Sequence, residues 1–176
     1  MVIKKPKITR LPKNPNEHFD FVEFLTLKTR HEMLDYCKYR LPCIGYGTGR
    51  VVFRLDTDNV IKIAINSFGI SQSKNEIKAS NLYTCFAPIR EKSEDCKWLT
   101  AQYFEKAKPK DFEDILGCSF EETLSFLKGE KEIEAPRFLL EIKRAVTDGL
   151  TDYSDISAWG KTPDGKELVI LDYGLK

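Results

Sequence analysis

The sequence predicts an α+β fold in which an antiparallel sheet occupies the first half of the chain and helices occupy most of the second. Short, apolar, β-branched runs separated by polar turns cover residues 45–104, with one helix-like stretch between them. Beyond residue 105, apolar side chains recur at helical spacing, and helix-start signals precede them. This change from strands to helices is typical of an α+β arrangement in two lobes.

The composition is that of an ordinary globular domain. The chain has 176 residues, of which 41 % are hydrophobic and 31 % charged, so we expect one core of useful size. The net charge of +1 indicates no acidic partner. Five cysteines without a C-x-x-C pair, and without a preceding signal peptide, favour reduced thiols and a cytoplasmic location. No apolar run approaches membrane-spanning length, which predicts that the protein does not enter a membrane.

Residues 1–18 are basic and contain three prolines, so we expect a flexible arm that precedes a single domain over residues 19–176. The basic residues ahead of the first acidic one, Glu17, are Lys4, Lys5, Lys7, Arg10 and Lys13. Nucleic acid or an acidic protein surface could bind such an arm. A solvated tail is the favoured alternative, because no aromatic residues are interleaved with the charges.

Local patterns predict the elements of the first half. Residues 19–27 are apolar without a clear period, and Pro42 stops the helix that follows them. The further predictions, in chain order, are a helix over residues 28–40, a hairpin over 45–64, a turn at 66–69, a helix over 71–83, and strands over 86–91 and 98–104.

Helix-start signals predict two helices in the second half. Ser119 and Glu122 have the spacing of a capping box. Pro136 suits the first position of a second helix, which ends near Gly149. The remaining predictions are a loop over residues 151–160, a turn at 163–165 and a buried strand over 168–171.

A glycine-rich stretch over residues 45–64 carries the first functional signal. Gly45, Gly47 and Gly49 would let backbone N–H groups approach phosphate oxygens, because no Cβ blocks them. Lys62, on the next strand, would supply a positive charge to the same phosphates. A Rossmann motif needs a helix after the glycines, and a P-loop needs Gly-Lys-Ser/Thr, so both are excluded. An ordinary hairpin with a loose glycine turn explains this stretch alone equally well.

The order of the signals resembles the protein-kinase fold: a glycine loop, a strand lysine, a helix acid, a strand pair, helices, and an apolar strand that ends in Asp-aromatic-Gly. The resemblance spans roughly residues 40–174 and is strongest to very small kinase-like proteins of phages and bacterial secreted effectors. It implies a minimal two-lobed fold, with an N-lobe of about residues 19–105 and a truncated C-lobe of about residues 106–176. It also implies ATP and Mg²⁺ as cofactors and a protein substrate or partner. The location would be the host cytoplasm if the protein is phage-encoded or secreted.

The match to the kinase glycine loop, G-x-G-x-x-G-x-V, is imperfect. Gly45, Gly47 and Val52 match this pattern and would cover the nucleotide. Arg50 stands where the third glycine is expected, and Gly49 is displaced by one position.

The resemblance assigns further roles along the chain. Lys62, within Val-Ile-Lys-Ile, would contact the α- and β-phosphates, and Glu76 on the next helix would pair with it. The pair matters because a lysine without a counter-charge in a low-dielectric site tends to lose its proton. Gln102 and Phe104 lie on the strand that leads to the hinge, where adenine would bind. Asp172, the first residue of an Asp-Tyr-Gly motif, would hold Mg²⁺.

The catalytic loop departs from the kinase pattern. A kinase places H-R-D-x-x-x-x-N before its D-F-G strand, but here the asparagine's position falls on Ala158 or Trp159, and neither binds a metal. Asp152 and Asp155 are both candidates for the catalytic base, and ordinary loop and cap chemistry explains them as well. No activation segment or A-P-E motif follows Asp172, so we expect a partner to present any substrate.

Three hypotheses follow. The first is an atypical ATP-dependent phosphotransferase, which Lys62, Glu76 and Asp172 favour. The second is a pseudokinase that inhibits or scaffolds another protein, which the absent asparagine favours. The first two are nearly balanced, with a slight preference for nucleotide binding and weak or partner-dependent transfer. The third and weakest is a nucleic-acid-binding protein that uses the basic arm.

Overall fold

The structure, a computed structural model, describes residues 18–172 and has the two-lobed α+β architecture that the sequence predicts. The N-lobe contains, in chain order, α1 (Phe21–Thr26), α2 (Arg30–Arg40), β1 (Cys43–Tyr46), β2 (Arg50–Arg54), β3 (Asn59–Ala64), α3 (Ser67–Leu82), β4 (Ile89–Lys92) and β5 (Trp98–Gln102). The C-lobe contains β6 (Glu105–Lys106), α4 (Pro109–Leu116), α5 (Phe120–Leu127), α6 (Arg137–Thr147), β7 (Trp159–Lys161) and β8 (Leu168–Ile170). No helix in residues 18–172 is both long enough and apolar enough to cross a membrane.

Two predicted features lie outside the described residues. These are nearly all of the basic arm, residues 1–17, and the last two residues of the Asp-Tyr-Gly motif, within residues 173–176. The division of the chain into an arm and a single domain therefore stays a prediction.

The N-lobe sheet is antiparallel throughout, in the strand order β1-β2-β3-β5-β4. Lys62 lies in the central strand β3, opposite Val52 of β2 and Leu99 of β5. Side chains alternate between the two faces of a strand. The face of β3 that carries Ile61 and Ile63 packs against α2, and Lys62 lies on the opposite face, towards α3.

Helices α1 and α2 cover the outer face of the sheet. Residues 19–27, apolar but without a clear period, include the short helix α1, which Asp20 caps. Phe24 of α1 packs edge-on against Trp98 of β5, with ring centroids 5.6 Å apart. Helix α2 begins slightly later than predicted, because Thr29 is its N-cap rather than part of the helix.

The predicted turn at residues 66–69 is wrong, because helix α3 begins at Ser67. Asn66 is the N-cap, and its side chain accepts a hydrogen bond from the N–H of Gly69 at 2.9 Å. The carbonyl group of Gly49 packs directly against Gly69, so a Cβ at Gly69 would collide with it. Gly69 therefore permits close packing rather than a turn.

The strands predicted over residues 86–91 and 98–104 exist, but both have shifted ends. Before β4, Ala87 donates its N–H to the carbonyl of Ile170 of β8 at 3.0 Å, while the carbonyl of Pro88 still pairs with Gln102 of β5. Strand β5 ends earlier than predicted, where the chain leaves the N-lobe. The hydrogen bond between Ala87 and Ile170 connects the end of β8 to the N-lobe.

The C-lobe core surrounds the buried indole of Trp159. The capping box of Ser119 and Glu122 opens α5 as predicted. Pro136 is the N-cap of α6, one position before the place predicted for it. Local sequence patterns do not predict α4, the two 3₁₀ turns within the predicted loop at 151–160, or β7, which begins at the end of that loop. Strand β7 lies between β6 and β8 in a small antiparallel sheet.

Candidate functional site

A cleft of about 810 Å³ is lined by residues of both lobes. The structure brings most of the predicted site residues into its lining: Gly45, Gly47, Val52, Lys62, Gln102, Phe104, Asp152, Asp155 and Asp172. Glu76 lies beneath the cleft, where it contacts Lys62. Gly49 packs instead against Gly69 of α3. The roles of all these residues stay predictions, but their proximity is a property of the fold.

Lys62 and Glu76 form a buried ion pair at the base of the cleft. The Nζ atom of Lys62 lies 2.5 Å from Oε1 of Glu76, and the two residues are 5 % and 0 % exposed. The same Nζ donates a hydrogen bond to the carbonyl of Leu171 at 2.8 Å. This hydrogen bond holds Leu171, the residue that follows β8, next to the central strand of the N-lobe.

Arg50, the first residue of β2, completes the charge network. It is 4 % exposed; its Nη1 donates to Oε2 of Glu76, and its Nη2 donates to Oδ1 of Asp172 at 2.6 Å. In the sequence, this arginine is a mismatch to the third glycine of the kinase glycine loop. The mismatch could have indicated that Arg50 is a site residue, because it places a charged side chain where the motif has none.

The charges of the network explain the ionisation of Glu76. Burial raises the pKa of this carboxyl, but the nearby charges of Arg50 and Lys62, together with their hydrogen bonds, outweigh burial and lower the pKa below its ordinary value. Glu76 is therefore a carboxylate at neutral pH. The side chain of Asp172 is 58 % exposed, so the network runs from the protein interior to solvent within the cleft.

The glycine turn is fixed to the start of α3. Gly49 accepts a hydrogen bond from the N–H of Ile65 at 2.8 Å, and the carbonyl of Thr48 accepts one from the side chain of Asn66 at 2.8 Å. Gly45 and Gly47 remain in the cleft lining. The turn therefore holds the start of β2, and with it Arg50, against the helix that carries Glu76.

The two candidate bases lie on 3₁₀ turns of the C-lobe. Asp155 accepts a hydrogen bond from the N–H of Ser157 at 2.8 Å, and this bond lowers the pKa of Asp155. Asp152 begins the first of the two turns. Both side chains are exposed and line the cleft. A carboxylate at either position reaches the same opening as Lys62 and Asp172.

The position expected for a metal-binding asparagine carries no ligand. Ala158 lines the cleft beside the end of β8, because its carbonyl accepts a hydrogen bond from the N–H of Leu171 at 2.7 Å. Trp159 instead points into the C-lobe core, where its indole N–H donates to the carbonyl of Tyr153 at 2.8 Å. The backbone of Ala158 is thus close to the segment that carries Asp172, but its side chain is a methyl group, which cannot bind a metal.

The residues near the predicted hinge offer an apolar surface. Phe104 is buried and packs with Val169 and Leu171, and Val52 lines the cleft from β2. The backbone N–H of Gln102 donates a hydrogen bond to the carbonyl of Pro88 at 2.8 Å. A flat, apolar group of the size of a purine would fit chemically against these side chains.

The donor set fits a single magnesium ion shared with phosphate. Within residues 18–172, no group of three or more His, Cys, Asp and Glu side chains is placed to hold a metal. Mg²⁺ commonly binds through one or two carboxylates together with substrate phosphates and water. Asp172, whose side chain lies in the cleft lining, can supply such a carboxylate. Ala158 provides no ligand for a second ion.

No family model and no curated protein matches this chain. A choline/ethanolamine kinase family protein from Mesorhizobium loti, whose crystal structure was solved at 2.55 Å, is similar with 12 % identity and a TM-score of 0.42. The similarity covers 75 % of this chain and 57 % of that protein. So distant a likeness determines neither the family nor the chemistry of this chain.

Replacing Glu76 by glutamine should destabilise the protein strongly. The substitution leaves the buried Arg50 and Lys62 without their shared counter-charge, which costs about 3–5 kcal/mol in comparable sites. Urea unfolding at neutral pH measures the loss. Glu134→Gln, an exchange at an exposed position, is the matched control and should change the free energy of unfolding by less than about 0.5 kcal/mol.

The loss should also depend on pH. The pKa of Glu76 is lower in the folded protein than its ordinary value of 4.5, so the unfolded chain binds the proton more readily. The stabilisation is therefore complete above about pH 4.5 and disappears as the pH falls through the folded pKa. The difference between parent and Glu76→Gln should narrow on acidification. A difference that is the same at every pH would contradict this origin of the stability.

Proposed function

We propose that the cleft binds ATP with Mg²⁺ and that the protein is an atypical, minimal kinase-like protein with weak or partner-dependent phosphoryl transfer to a protein hydroxyl. The observation that supports this proposal best is the meeting of Lys62, Glu76 and Asp172 at one cleft. These residues are far apart in the chain, and their chemistry is that of a phosphate and metal site.

The cleft suits ATP in size and in the order of its surfaces. Its volume of about 810 Å³ lies within the range of small-molecule sites. Adenine would lie between Val52 and Phe104, and the triphosphate would lie beneath Gly45 and Gly47, towards Lys62. Lys62 is held rigidly by Glu76, so little side-chain entropy is lost when it binds phosphate.

Transfer requires one bond to form and one to break. The oxygen of a substrate hydroxyl attacks the γ-phosphorus, the bond to the bridging oxygen breaks, and ADP leaves with its electron pair. Asp152, or less readily Asp155, accepts the hydroxyl proton; the hydrogen bond from the N–H of Ser157 lowers the pKa of Asp155, which weakens Asp155 as a base. Asp172 would hold the Mg²⁺, which neutralises charge on the phosphates when bound. A methyl group at Ala158 leaves a second ion unsupported, so transfer is slow.

A catalytically inactive pseudokinase is the second candidate, and Ala158 favours it. In that case the cleft would keep its shape, with or without nucleotide, and the protein would act by binding another protein as an inhibitor or a scaffold. The two candidates share the fold and the charge network and differ in whether phosphate is transferred.

Replacing Lys62 by alanine should weaken the binding of Mg·ATP about 10- to 100-fold, because a charge-assisted contact to phosphate is lost. Isothermal titration calorimetry measures the affinity. Lys166→Ala removes the same charge from an exposed position and should leave the affinity unchanged. Equal affinities for parent and Lys62→Ala, or no binding by the parent, would remove the proposed nucleotide site.

Replacing Ala158 by asparagine should raise the rate of phosphoryl transfer at least about tenfold if the cleft is catalytic, because the amide adds a metal ligand beside Asp172. Autophosphorylation with radiolabelled ATP measures the rate. Ala158→Leu, a side chain of similar length without the amide, is the matched control and should give no increase. Binding of ATP without transfer in both parent and Ala158→Asn would select the pseudokinase.

A further inference from the structure

Arg50 is a buried cation in the cleft that the proposed function leaves without a role. Its guanidinium contacts Glu76 on one side and Asp172 on the other. It also lines the cleft together with Gly47 and Lys62. Arg50 therefore lies beside the space that the phosphates of the proposed nucleotide would occupy.

The charge balance of the network indicates a role for Arg50. Without Arg50, Lys62 would neutralise Glu76, and Asp172 would be left to attract a cation from solution. With Arg50, the ion pairs within residues 18–172 join two positive and two negative side chains, and Asp172 already has a positive partner inside the protein. The cleft therefore carries a fixed positive group beside Asp172, the carboxylate that the proposed function assigns to a metal ion.

The two contacts of Arg50 differ in how easily they can be exchanged. Glu76 is 0 % exposed and holds one side of the guanidinium in the protein interior. The side chain of Asp172 is 58 % exposed, so its contact lies at the surface of the cleft. A phosphate can replace the exposed carboxylate without moving the buried end. Because Glu76 already orients the guanidinium through Nη1, the Nη2 group that Asp172 releases can donate its two N–H bonds to phosphate oxygens at a small entropic cost.

We propose that Arg50 is a phosphate-binding residue that takes over part of the charge neutralisation supplied by a divalent cation. This role rests on the proposed function and concerns how metal ions affect nucleotide binding: the cleft binds a nucleoside triphosphate with or without Mg²⁺. When the triphosphate enters, it displaces Asp172 from Arg50, and the released carboxylate is then available to a metal ion.

The test is calorimetric titration of ATP into the full chain in excess Mg²⁺ and in EDTA. The parent should lose less than about tenfold in affinity when Mg²⁺ is removed. Arg50→Gln should lose a further 10- to 100-fold in EDTA, because a charge-assisted pair of hydrogen bonds is absent. Arg137→Gln, the same exchange at an exposed position on α6, is the matched control and should follow the parent.

The outcomes separate this inference from the proposed function. Binding by the parent in Mg²⁺ but not in EDTA overturns the role of Arg50 and leaves the proposed function standing. No binding by the parent in either condition overturns both. Equal or tighter binding by Arg50→Gln in EDTA also overturns the inference, because Arg50 would then merely obstruct the cleft.

A second variant keeps the test decisive if circular dichroism shows that Arg50→Gln is unfolded. Arg50→Lys keeps a positive charge beside Glu76 but lacks the planar pair of donors. Its affinity for ATP in EDTA should lie between that of the parent and the 10- to 100-fold loss expected for the glutamine variant. An affinity equal to that of the parent would contradict bidentate binding by Arg50.

Discussion

The buried carboxylate of Glu76 is the constraint on which the rest of the structure depends. A carboxylate that is 0 % exposed is stable only when positive groups surround it, and Arg50 and Lys62 provide them. Arg50 comes from β2 and Lys62 from β3, so the ion pairs join both strands to α3. The hydrogen bond from Lys62 to Leu171 then extends the same constraint to the end of β8. The charge network thus joins strands and helix of the N-lobe at the base of the cleft.

The glycine turn contributes to this arrangement through packing. Gly49 and Gly69 let the backbone of the turn lie directly against the first turn of α3, and the side chain of Asn66 links the two segments. The close contact brings the start of β2 near the helix, so Arg50 can reach Glu76. A glycine-rich sequence therefore performs two tasks here: Gly45 and Gly47 line the cleft, and Gly49 holds the arginine in place.

Local sequence patterns predicted the elements better than the contacts between them. The hairpin of β2 and β3 and the capping box of α5 were predictable because their signals lie within a few residues. The turn at residues 66–69 was mispredicted because a glycine in a helix usually indicates a break, and its packing partner was not visible in the sequence. Helix α4 has eight residues, like α5, but was missed because its N-cap is Lys108, whose side chain makes no capping hydrogen bond. The partners of Arg50 lie 26 and 122 residues away, so no local pattern could reveal them.

A crystal structure of the full chain with a non-hydrolysable ATP analogue tests the central claim most directly. The account predicts that oxygens of the triphosphate lie within about 3.2 Å of both Lys62 Nζ and the Arg50 guanidinium. It also predicts that Glu76 still lies beneath both cations while Asp172 has separated from Arg50. A triphosphate bound outside the cleft, or bound in it without contact to Lys62, would contradict the account.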